Sequence, residues 1–484
     1  MRKIISIVSL LVLIFTSCSK ENKELLNTIP ADASFVVRFN CASLAEKAGL
    51  NKEETDKLLK EIGDNNEQSA AFAKIAGDPS SCGLDFEENS FVFGNKNFQA
   101  LLMAVSDADK LHETIKTMFP EEKDKITKSN GVYVASENSN VALVWDNSRL
   151  LIYNASSSGS DIAPGDAAKA LLKQDEKASL AGDELFKAFL DKKSDLSIFV
   201  SPDAMNDFKD LADIAGVAMN MPIVNMVADA RNSMYIDFNK GEIVAKSAMS
   251  FLNKEAENHQ KELMESLTGK GSDNHFKYLN ENPAMFISAN LKGEGLVKML
   301  EQQGIMKELG KESLFDIASL LGNIDGDLTC TLNNIGGGDF EINLFADIKD
   351  PAVMQTAIKE MATQFMLPVQ KVDDNNYYIF TGAKNIYLGT KDKLFYLTTQ
   401  KEVLNSDYKS GFKKSDLPGI NDGVFYFYVN TASIFGSTYA LGGFGAMTKD
   451  FSISVTDYKS TEMKLRMADA NKNSLAVIFE QIRK

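Results

Sequence analysis

The apolar positions of this chain fall into short alternating runs, followed either by polar turns or by helical patterns. Period-two runs predict strands, and apolar spacings of three and four predict helices. The order strand, helix, strand, strand, helix is predicted near 35–118, 196–267, 284–364 and 423–482. Strands joined by short polar turns, as at 239–241, must pair antiparallel. The pattern predicts an α+β fold in which helices cover one face of antiparallel sheet units.

Comparison of the chain with itself reveals an internal repeat, which indicates a duplicated architecture. Four segments match four later ones in the same order: 32–50 with 282–304, 97–119 with 339–365, 131–153 with 376–397, and 246–254 with 464–472. We therefore predict two related halves, 29–270 and 281–484, with a linker at 269–274. An extra strand in the first block of each half completes a βαββαβ order, which is ferredoxin-like in part.

The first residues have the three zones of an export signal. Met1-Arg2-Lys3 is positive, and residues 4–15 are apolar but shorter than the roughly 20 residues that span a bilayer. Residues 13–18, LIFTSC, resemble a bacterial lipobox, although Phe15 departs from the usual leucine. This pattern predicts a signal peptide at 1–17 and lipid attachment to Cys18, with enough acyl chains for stable anchoring. The alternative is an ordinary secretory signal, with Cys18 incidental.

The residues after Cys18 are polar and charged, so we predict that 18–28 is a lipidated cysteine followed by a tether. Lys20-Glu21 resembles the short acidic signal by which some Bacteroidota lipoproteins reach the outer face. A solvated linker is the alternative interpretation. We expect a lipid-anchored protein of the cell envelope, at the outer membrane, with the periplasmic or surface face left open.

Composition limits the partners and the covalent chemistry. The chain has 484 residues, 44% of them hydrophobic and 25% charged, and a net charge of −15. An acidic chain repels nucleic-acid phosphates, so we expect no nucleic-acid partner. With Cys18 assigned to lipid, Cys41, Cys82 and Cys330 remain. Neither a disulfide framework nor a zinc site is predicted; a Cys41–Cys82 bridge and three buried free thiols both stay open.

The sequence lacks the usual signatures of catalysis. We interpret His112, His259 and His275 as solvated surface residues, because none has ligand spacing and no HExxH or GxSxG motif occurs. Asp325-Gly326-Asp327 and Asp373-Asp374 supply too few oxygens for a calcium loop and are interpreted as turns. We therefore predict no catalytic residue, no metal site and no cofactor.

Trp145 is the only tryptophan, and it lies beside a predicted hairpin turn. The repeat places Gly389 at the matching position, so the fold does not require an aromatic side chain there. An exposed Trp145 would suit stacking on a sugar or on a partner protein. Packing beneath the serine-rich loop at 155–165 is the favoured alternative, since large aromatic residues are mostly buried.

Residues 29–37, IPADASFVV, resemble the start of a group of Bacteroidota lipoproteins classed as domain of unknown function 4836. Members open with a lipobox, a charged tether and an IPADA or IPADS segment leading to a strand, Ser-Leu, a helix and glycine. Ser43, Leu44 and Gly49 continue that pattern. The resemblance covers nearly all of the mature chain; it implies the localisation and brings no catalytic residues.

Two functions remain at this point. The first is a non-catalytic binding or scaffold protein of the envelope, with another envelope protein or a glycan as its partner. The alternative is a surface hydrolase that uses Asp or Glu residues on a glycan or a peptide. We favour the first, because the repeat retains apolar strands and helix starts and no polar constellation common to both halves.

Overall fold

The computed structural model describes a large part of the chain. The described residues are 23–49, 79–118, 125–136, 140–156, 162–201, 204, 230–302, 304–307, 316–334, 340–364, 369–380, 384–405, 408, 410–413, 415, 417, 420, 423–435 and 442–482. The predicted signal peptide and Cys18 lie outside them. The chain forms two compact units: unit 1 is Met1–Ala256 with Asn471–Lys484, and unit 2 is Glu257–Ala470.

Unit 1 contains one antiparallel sheet. Its strands are β1 (Phe35–Phe39), β2 (Leu84–Asp85), β3 (Ser90–Asn95), β4 (Phe98–Val105), β5 (Thr127–Ser129), β6 (Val132–Ser136), β7 (Val141–Trp145), β8 (Arg149–Ala155), β9 (Leu196–Val200), β10 (Ala230–Asn239) and β11 (Glu242–Phe251). Hydrogen-bonded neighbours follow the order β5-β6-β7-β8-β4-β3-β1-β9-β10-β11, with β2 beside β4. The hairpin predicted at 239–241 is present, and Gly241 adopts a φ of 72° in its turn.

Unit 2 also contains one antiparallel sheet. Its strands are β12 (Met285–Lys292), β13 (Ile324–Asn333), β14 (Glu341–Ile348), β15 (Val369–Lys371), β16 (Asn376–Phe380), β17 (Asn385–Lys391), β18 (Leu394–Thr398), β19 (Phe425–Val429), β20 (Thr448–Val455) and β21 (Ser460–Met467). Neighbours follow the order β15-β16-β17-β18-β14-β13-β12-β19-β20-β21. Each strand of this order corresponds to the strand at the same position in unit 1: β15 to β18 correspond to β5 to β8, β14, β13 and β12 to β4, β3 and β1, and β19 to β21 to β9 to β11. Only β2 has no counterpart among the described strands.

Helices occupy the connections that the apolar pattern predicted and several others. They are α1 (Lys23–Asn27), α2 (Cys41–Ala48), α3 (Ala108–Met118), α4 (Pro164–Leu172), α5 (Glu184–Leu190), α6 (Lys254–Leu267), α7 (Gly293–Gln302), α8 (Ile317–Gly322), α9 (Pro351–Gln364), α10 (Thr431–Phe435), α11 (Gly442–Met447) and α12 (Ser474–Ile482). Within the described part of the chain, no helix is long and apolar enough to cross a membrane.

The core of unit 1 lies on both faces of its sheet, where one helical face was predicted. Strand β7 reads VALVW and is buried at every position. Its alternate side chains enter two apolar clusters: Val141 and Trp145 pack with α3, while Ala142 and Val144 pack towards α1, α4 and α5. Two-sided cover follows from the sequence of β7, because an unbroken apolar run leaves neither face suited to water.

The ferredoxin-like expectation is not met by the described strands. In a βαβ unit the helix connects two parallel strands. Here α2 follows β1, and the chain returns to pair β3 antiparallel with β1. In unit 2, β13 pairs antiparallel with β12 in the same way. The coarser prediction, helices packed on antiparallel sheets, is confirmed.

The second half of the predicted tether belongs to the folded body. Residues 23–27 form α1, and Leu25, Thr28 and Ile29 are each at most 1% exposed. The guanidinium of Arg149 donates hydrogen bonds to the Glu24 carbonyl, at 3.3 Å, and to the Thr28 hydroxyl, at 3.2 Å. Apolar burial and these hydrogen bonds fix the segment. The tether before residue 23 lies outside the described residues.

The division between the units differs from the predicted halves at both ends. The chain enters unit 2 at Glu257, within α6, rather than at the predicted linker. It returns to unit 1 at Asn471, so α12 belongs to unit 1. The predicted linker at 269–274 is tied to the sheet of unit 2, because Ser272 donates its backbone hydrogen bond to Asp327, at 3.2 Å.

The remaining cysteines are free thiols. Cys41 and Cys82 are each 1% exposed, and Cys330 is half-buried in β13. Burial raises the pKa of the Cys41 thiol to about 11. Because the thiolate is the reactive form, this cysteine is chemically inert in the folded protein. Of the two alternatives left by the sequence, the structure contains the free thiols.

Candidate functional site

A polar cluster in unit 2 brings together side chains that are far apart in the sequence, around the buried residues His275 and Asp327. We call it the His275 cluster; it consists of Ser272, His275, Asn290, Asp327 and Asp347. The serine and the histidine come from the segment that connects α6 to β12. The other three lie on the neighbouring strands β12, β13 and β14.

A bulge in β13 brings the two carboxylates together. The pairing of β13 with β14 shifts register between Ile324 and Leu328, and Gly326 in the bulge has a φ of 139°. A Cβ atom at Gly326 would lie 2.7 Å from the Cβ of Asp347. Glycine is therefore required for both the backbone conformation and the close approach. The bulge aims the Asp327 amide at Asp347 Oδ2, to which it donates at 2.9 Å.

Asp327 is 3% exposed, and both of its carboxylate oxygens accept hydrogen bonds. Oδ1 accepts from the Ser272 amide at 3.2 Å and from the Asn290 side-chain amide at 2.9 Å. Oδ2 accepts from the Ser272 hydroxyl. A buried carboxylate is tolerated where its oxygens are satisfied in this way. The bonds fasten the incoming segment to two strands of the sheet.

His275 is 2% exposed, which corrects its interpretation as a solvated residue. Its Nε2 lies 3.1 Å from Asp347 Oδ1, and its ring lies against Phe345, 6.2 Å between centroids. Since Asp347 accepts, Nε2 carries the proton. Nδ1 is buried without a hydrogen-bond partner. The ring acts as an anchor under the sheet, held by one polar contact and by packing.

The other two histidines differ from one another. His259 is exposed on α6, as the sequence suggested. His112 is half-buried on α3 and stacks on Tyr133, with ring centroids 4.9 Å apart. The spacing of histidines along the chain could not separate these cases, because burial depends on partners from other elements.

Trp145 is fully buried, so it offers no exposed stacking surface. Its ring stacks on Tyr133 at 5.0 Å and 5°, and its indole nitrogen donates to the Ala108 carbonyl at 3.4 Å. It therefore packs beneath α3. Burial was the favoured alternative. Residues 157–161 of the serine-rich loop lie outside the described residues.

A lysine-bearing groove of about 540 Å³ runs beside α6 in unit 2. We call it the α6 groove. Its lining includes Lys261, Lys270 and Lys292, together with Thr268 and Tyr458. Acidic groups are also present: Glu265 and Asp457 line the same groove. It therefore offers a ligand several cations and hydroxyl groups in a chain that is otherwise strongly acidic.

The edge of this groove is held by an ionic contact. The Tyr458 hydroxyl donates to Glu257 Oε1 at 2.9 Å, and the Lys459 ammonium contacts the same carboxylate. The hydrogen bond from Lys459 to Glu257 holds the lysine pKa above its usual range. Lys292 donates to the Glu265 carbonyl at 2.6 Å, near the end of α6.

A second cleft, of about 370 Å³, lies between α8 and α9 and is lined by Asp316, Asp350 and Glu360. Asp316 caps α8 by accepting from the Ser319 amide at 2.9 Å. Asp350 accepts from the Ala352 amide at 2.9 Å at the start of α9. These two carboxylates act as helix caps. Among the described residues, no group of three or more His, Cys, Asp or Glu is placed to hold a metal ion.

Unit 1 also contains a buried carboxylate that no sequence motif marks. Asp195 is 2% exposed and contacts Lys47 Nζ at 2.7 Å. It also accepts from the Phe238 amide at 2.6 Å. Asp195 thus ties β9 to α2 and β10. Lys47 lies 148 positions away in the sequence, so no local motif marks the pair.

The fold and these clusters define a mixed α/β protein whose buried polar groups hold antiparallel sheets together. A family model described as a domain of unknown function, DUF4836, matches residues 25–433, and the chain belongs to this family. No curated protein matches the chain.

Two solved structures show a weak likeness to parts of the chain. They are crystal forms I and IV of TP0453, at 8% and 13% identity, with TM-scores of 0.27 and 0.28. They cover 51% and 46% of this chain, and 86% and 79% of their own. Likeness at this level supports no inference about fold or function.

Replacing Asp327 with alanine tests the role of the His275 cluster. The change leaves the half-buried donors on Ser272 and Asn290 without an acceptor, so we expect unit 2 to lose about 2 kcal/mol of unfolding free energy. Thiol labelling of Cys330, which lies on β13 in unit 2, measures the loss against denaturant concentration when it is read on the Cys330 peptide by mass, apart from Cys41 and Cys82. Asp325→Ala, an exposed carboxylate on the same strand, is the matched control; equal and small shifts in both variants would contradict the assignment.

Proposed function

We propose that this chain is a lipid-anchored, non-catalytic binding protein of the cell envelope. The lipobox-like residues 13–18 support attachment through Cys18, and the family resemblance at 29–37 supports an outer-membrane lipoprotein of the Bacteroidota type. The folded body begins at α1, so at most residues 19–22 separate the lipidated cysteine from it. A short separation of this kind would keep the body close to the membrane surface.

One observation carries the non-catalytic part of the proposal. The best candidates for acid–base chemistry, Asp327 and Asp347, have both carboxylate oxygens engaged by donors of the fold. A general acid or base must reach a substrate proton. Asp327 is 3% exposed and out of reach of a substrate, and the hydrogen bonds of Asp347 hold His275 and the Asp327 amide. The hydrolase alternative therefore lacks support from this cluster.

We also propose that the two units are copies of one ancestral ten-stranded unit. Two independent observations support this: the four ordered sequence matches, and the identical order of ten strands in the two sheets. The paired registers agree as well, since Phe35 faces Val200 in unit 1 and Met285 faces Val429 in unit 2. In this proposal Thr390, rather than Gly389, corresponds to Trp145, because Thr390 faces Phe395 and Trp145 faces Leu150 one position before the last pair of each hairpin.

The α6 groove is the place we assign to a ligand, and we propose an acidic glycan of the envelope. Lysine side chains attract carboxylates, and a tyrosine at the rim suits stacking on a sugar ring. Lys261 and Lys270 provide charge at the wall, and Tyr458 is the aromatic residue of the lining, with the Lys459 ammonium over its ring at 5.3 Å. The net charge of −15 opposes the approach of anions to the chain as a whole, so binding would rest on the local lysines of this groove.

Cys18→Ala tests the anchor. The variant cannot accept lipid, so we expect the protein to move from the membrane pellet to the soluble fraction of cell lysates. Ser17→Ala, one residue earlier, should stay in the pellet, since small residues are tolerated before the cleavage site. Retention of the Cys18 variant with membranes would contradict the lipid attachment.

Incubation of the purified mature chain with peptidoglycan, a carboxylate-bearing glycan polymer, tests binding and catalysis together. We expect co-sedimentation with no release of soluble fragments. The double variant Lys261→Glu with Lys270→Glu should lose at least ten-fold in affinity, whereas Lys391→Glu, an exposed lysine on β17, should bind normally. Fragment release that disappears in Asp327→Asn or Asp350→Asn would establish the hydrolase instead, and absence of binding would remove the glycan.

A further inference from the structure

The terminal helices of the two units are exchanged along the chain. Helix α6 follows β11, the last strand of unit 1, yet from Glu257 onward it belongs to unit 2. Helix α12 follows β21, the last strand of unit 2, yet it belongs to unit 1. The sequence match of 246–254 with 464–472 places these two helices at equivalent points of the repeat. Each unit is therefore completed by a helix joined covalently to the other unit's last strand.

We propose that this exchange is a lock, which makes the two units fold and unfold as one cooperative body. Separate domains on one chain ordinarily unfold in separate transitions. Here neither unit is complete without a helix carried by the other, so loss of one unit releases a helix that the other requires. The inference does not depend on the binding function proposed above.

The place of α12 in unit 1 is apolar and tightly packed. Leu475, 7% exposed, packs against Leu44 and Ala48 of α2, with Phe238 and Phe479 beside them. Such a contact excludes water from both helices, and its loss would expose apolar surface on each.

Backbone contacts fix the start of α12 to the β10–β11 hairpin. The side-chain amide of Asn473 donates to the Phe238 carbonyl at 2.9 Å. The Gly241 amide in the hairpin turn donates to the Lys472 carbonyl at 2.8 Å. Residues 472 and 473 thus form part of the hydrogen-bonded structure of unit 1, and α12 is not a loosely attached tail.

The place of α6 in unit 2 is equally specific. A Cβ atom at Gly295 of α7 would lie 1.7 Å from the Ser266 carbonyl oxygen, so only glycine permits this contact between the two helices. Immediately after α6, Thr268 forms a β-bridge with Leu291. At the other end of α6, Glu257 Oε1 accepts a hydrogen bond from the Tyr458 hydroxyl at 2.9 Å. Helix α6 is therefore anchored within unit 2 at both ends.

We call the contacts of α12 with unit 1 the α12 joint and those of α6 with unit 2 the α6 joint. The two joints differ in chemistry, and this difference decides where the lock is best tested. The α12 joint buries leucine and phenylalanine side chains, whereas the α6 joint relies on glycine fit and polar contacts. Truncating a buried leucine removes packing without introducing charge or a steric clash. Leu475→Ala therefore weakens the contact of α12 with unit 1 through lost packing alone.

Each unit contains its own reporter. Trp145, the only tryptophan, lies on β7 of unit 1, so its fluorescence follows unit 1 alone. Cys330 lies on β13 of unit 2, so its reaction with a thiol reagent follows unit 2 when it is measured on the Cys330 peptide by mass, since Cys41 and Cys82 of unit 1 are also free thiols. For the full mature chain we expect both reporters to change at one denaturant concentration.

In Leu475→Ala we expect both midpoints to fall together and by the same amount, although the substituted helix belongs to unit 1. Glu480→Gln, an exposed position on the same helix that can still accept a hydrogen bond from Lys472, should move neither midpoint. Asp327→Ala in unit 2 should likewise lower the Trp145 midpoint. A fall confined to the Trp145 signal in Leu475→Ala would overturn the lock, and so would two separate transitions in the unmodified chain.

Discussion

Backbone pairing between strands far apart in the sequence is the constraint on which the rest of each unit depends. In unit 1, β1 joins β9 and so connects residues near 35 with residues near 200. In unit 2, β12 joins β19 across a similar interval. These pairings merge an early block of strands with a late block into one continuous sheet. Closing such long loops is costly in entropy, and the sheets contain the interactions that offset it.

The buried carboxylates stabilise the pairing of these distant strands. Asp195 lies just before β9 and ties it to α2 and β10, and Asp327 lies in β13 and ties it to β12 and to the segment entering that strand. Both are buried and fully occupied by donors of the fold. In an acidic chain such groups would attract attention as catalytic candidates. Their contacts instead assign them to the assembly of the sheets, which leaves the exposed surfaces for function.

The sequence predicted the strands and hairpins well, because alternation and polar turns are local signals. The VALVW run of β7 also carried a signal for burial on both faces, and the prediction of one helical face overlooked it. Other features had no local signal. Residues 23–28 have a polar composition, yet Leu25 packs in an apolar cluster formed by strands that are distant in the sequence. His275 follows the predicted linker in the sequence, and its contact with Asp347, 72 positions away, leaves no local signal.

The exchange of helices could not be predicted for a related reason. Sequence comparison aligned α6 with α12, but it assigned each helix to the half that precedes it. Which sheet a terminal helix joins depends on packing partners such as Leu44 for Leu475. The predicted boundaries at 270 and 281 followed composition, whereas the units divide where the contacts change.

Both units contain one sheet, and their long-range strands pair in the same register. Disulfide cross-linking of cysteine pairs across the long-range strand pairings tests this claim directly, since facing Cα atoms in antiparallel strands are close enough to bridge. Phe35→Cys with Val200→Cys, and Met285→Cys with Val429→Cys, should each form a bridge on mild oxidation, detected by peptide mass. Pairs displaced by one residue, such as Phe35→Cys with Phe199→Cys, should not. A bridge in the displaced pair, or in only one of the two units, would contradict the claim.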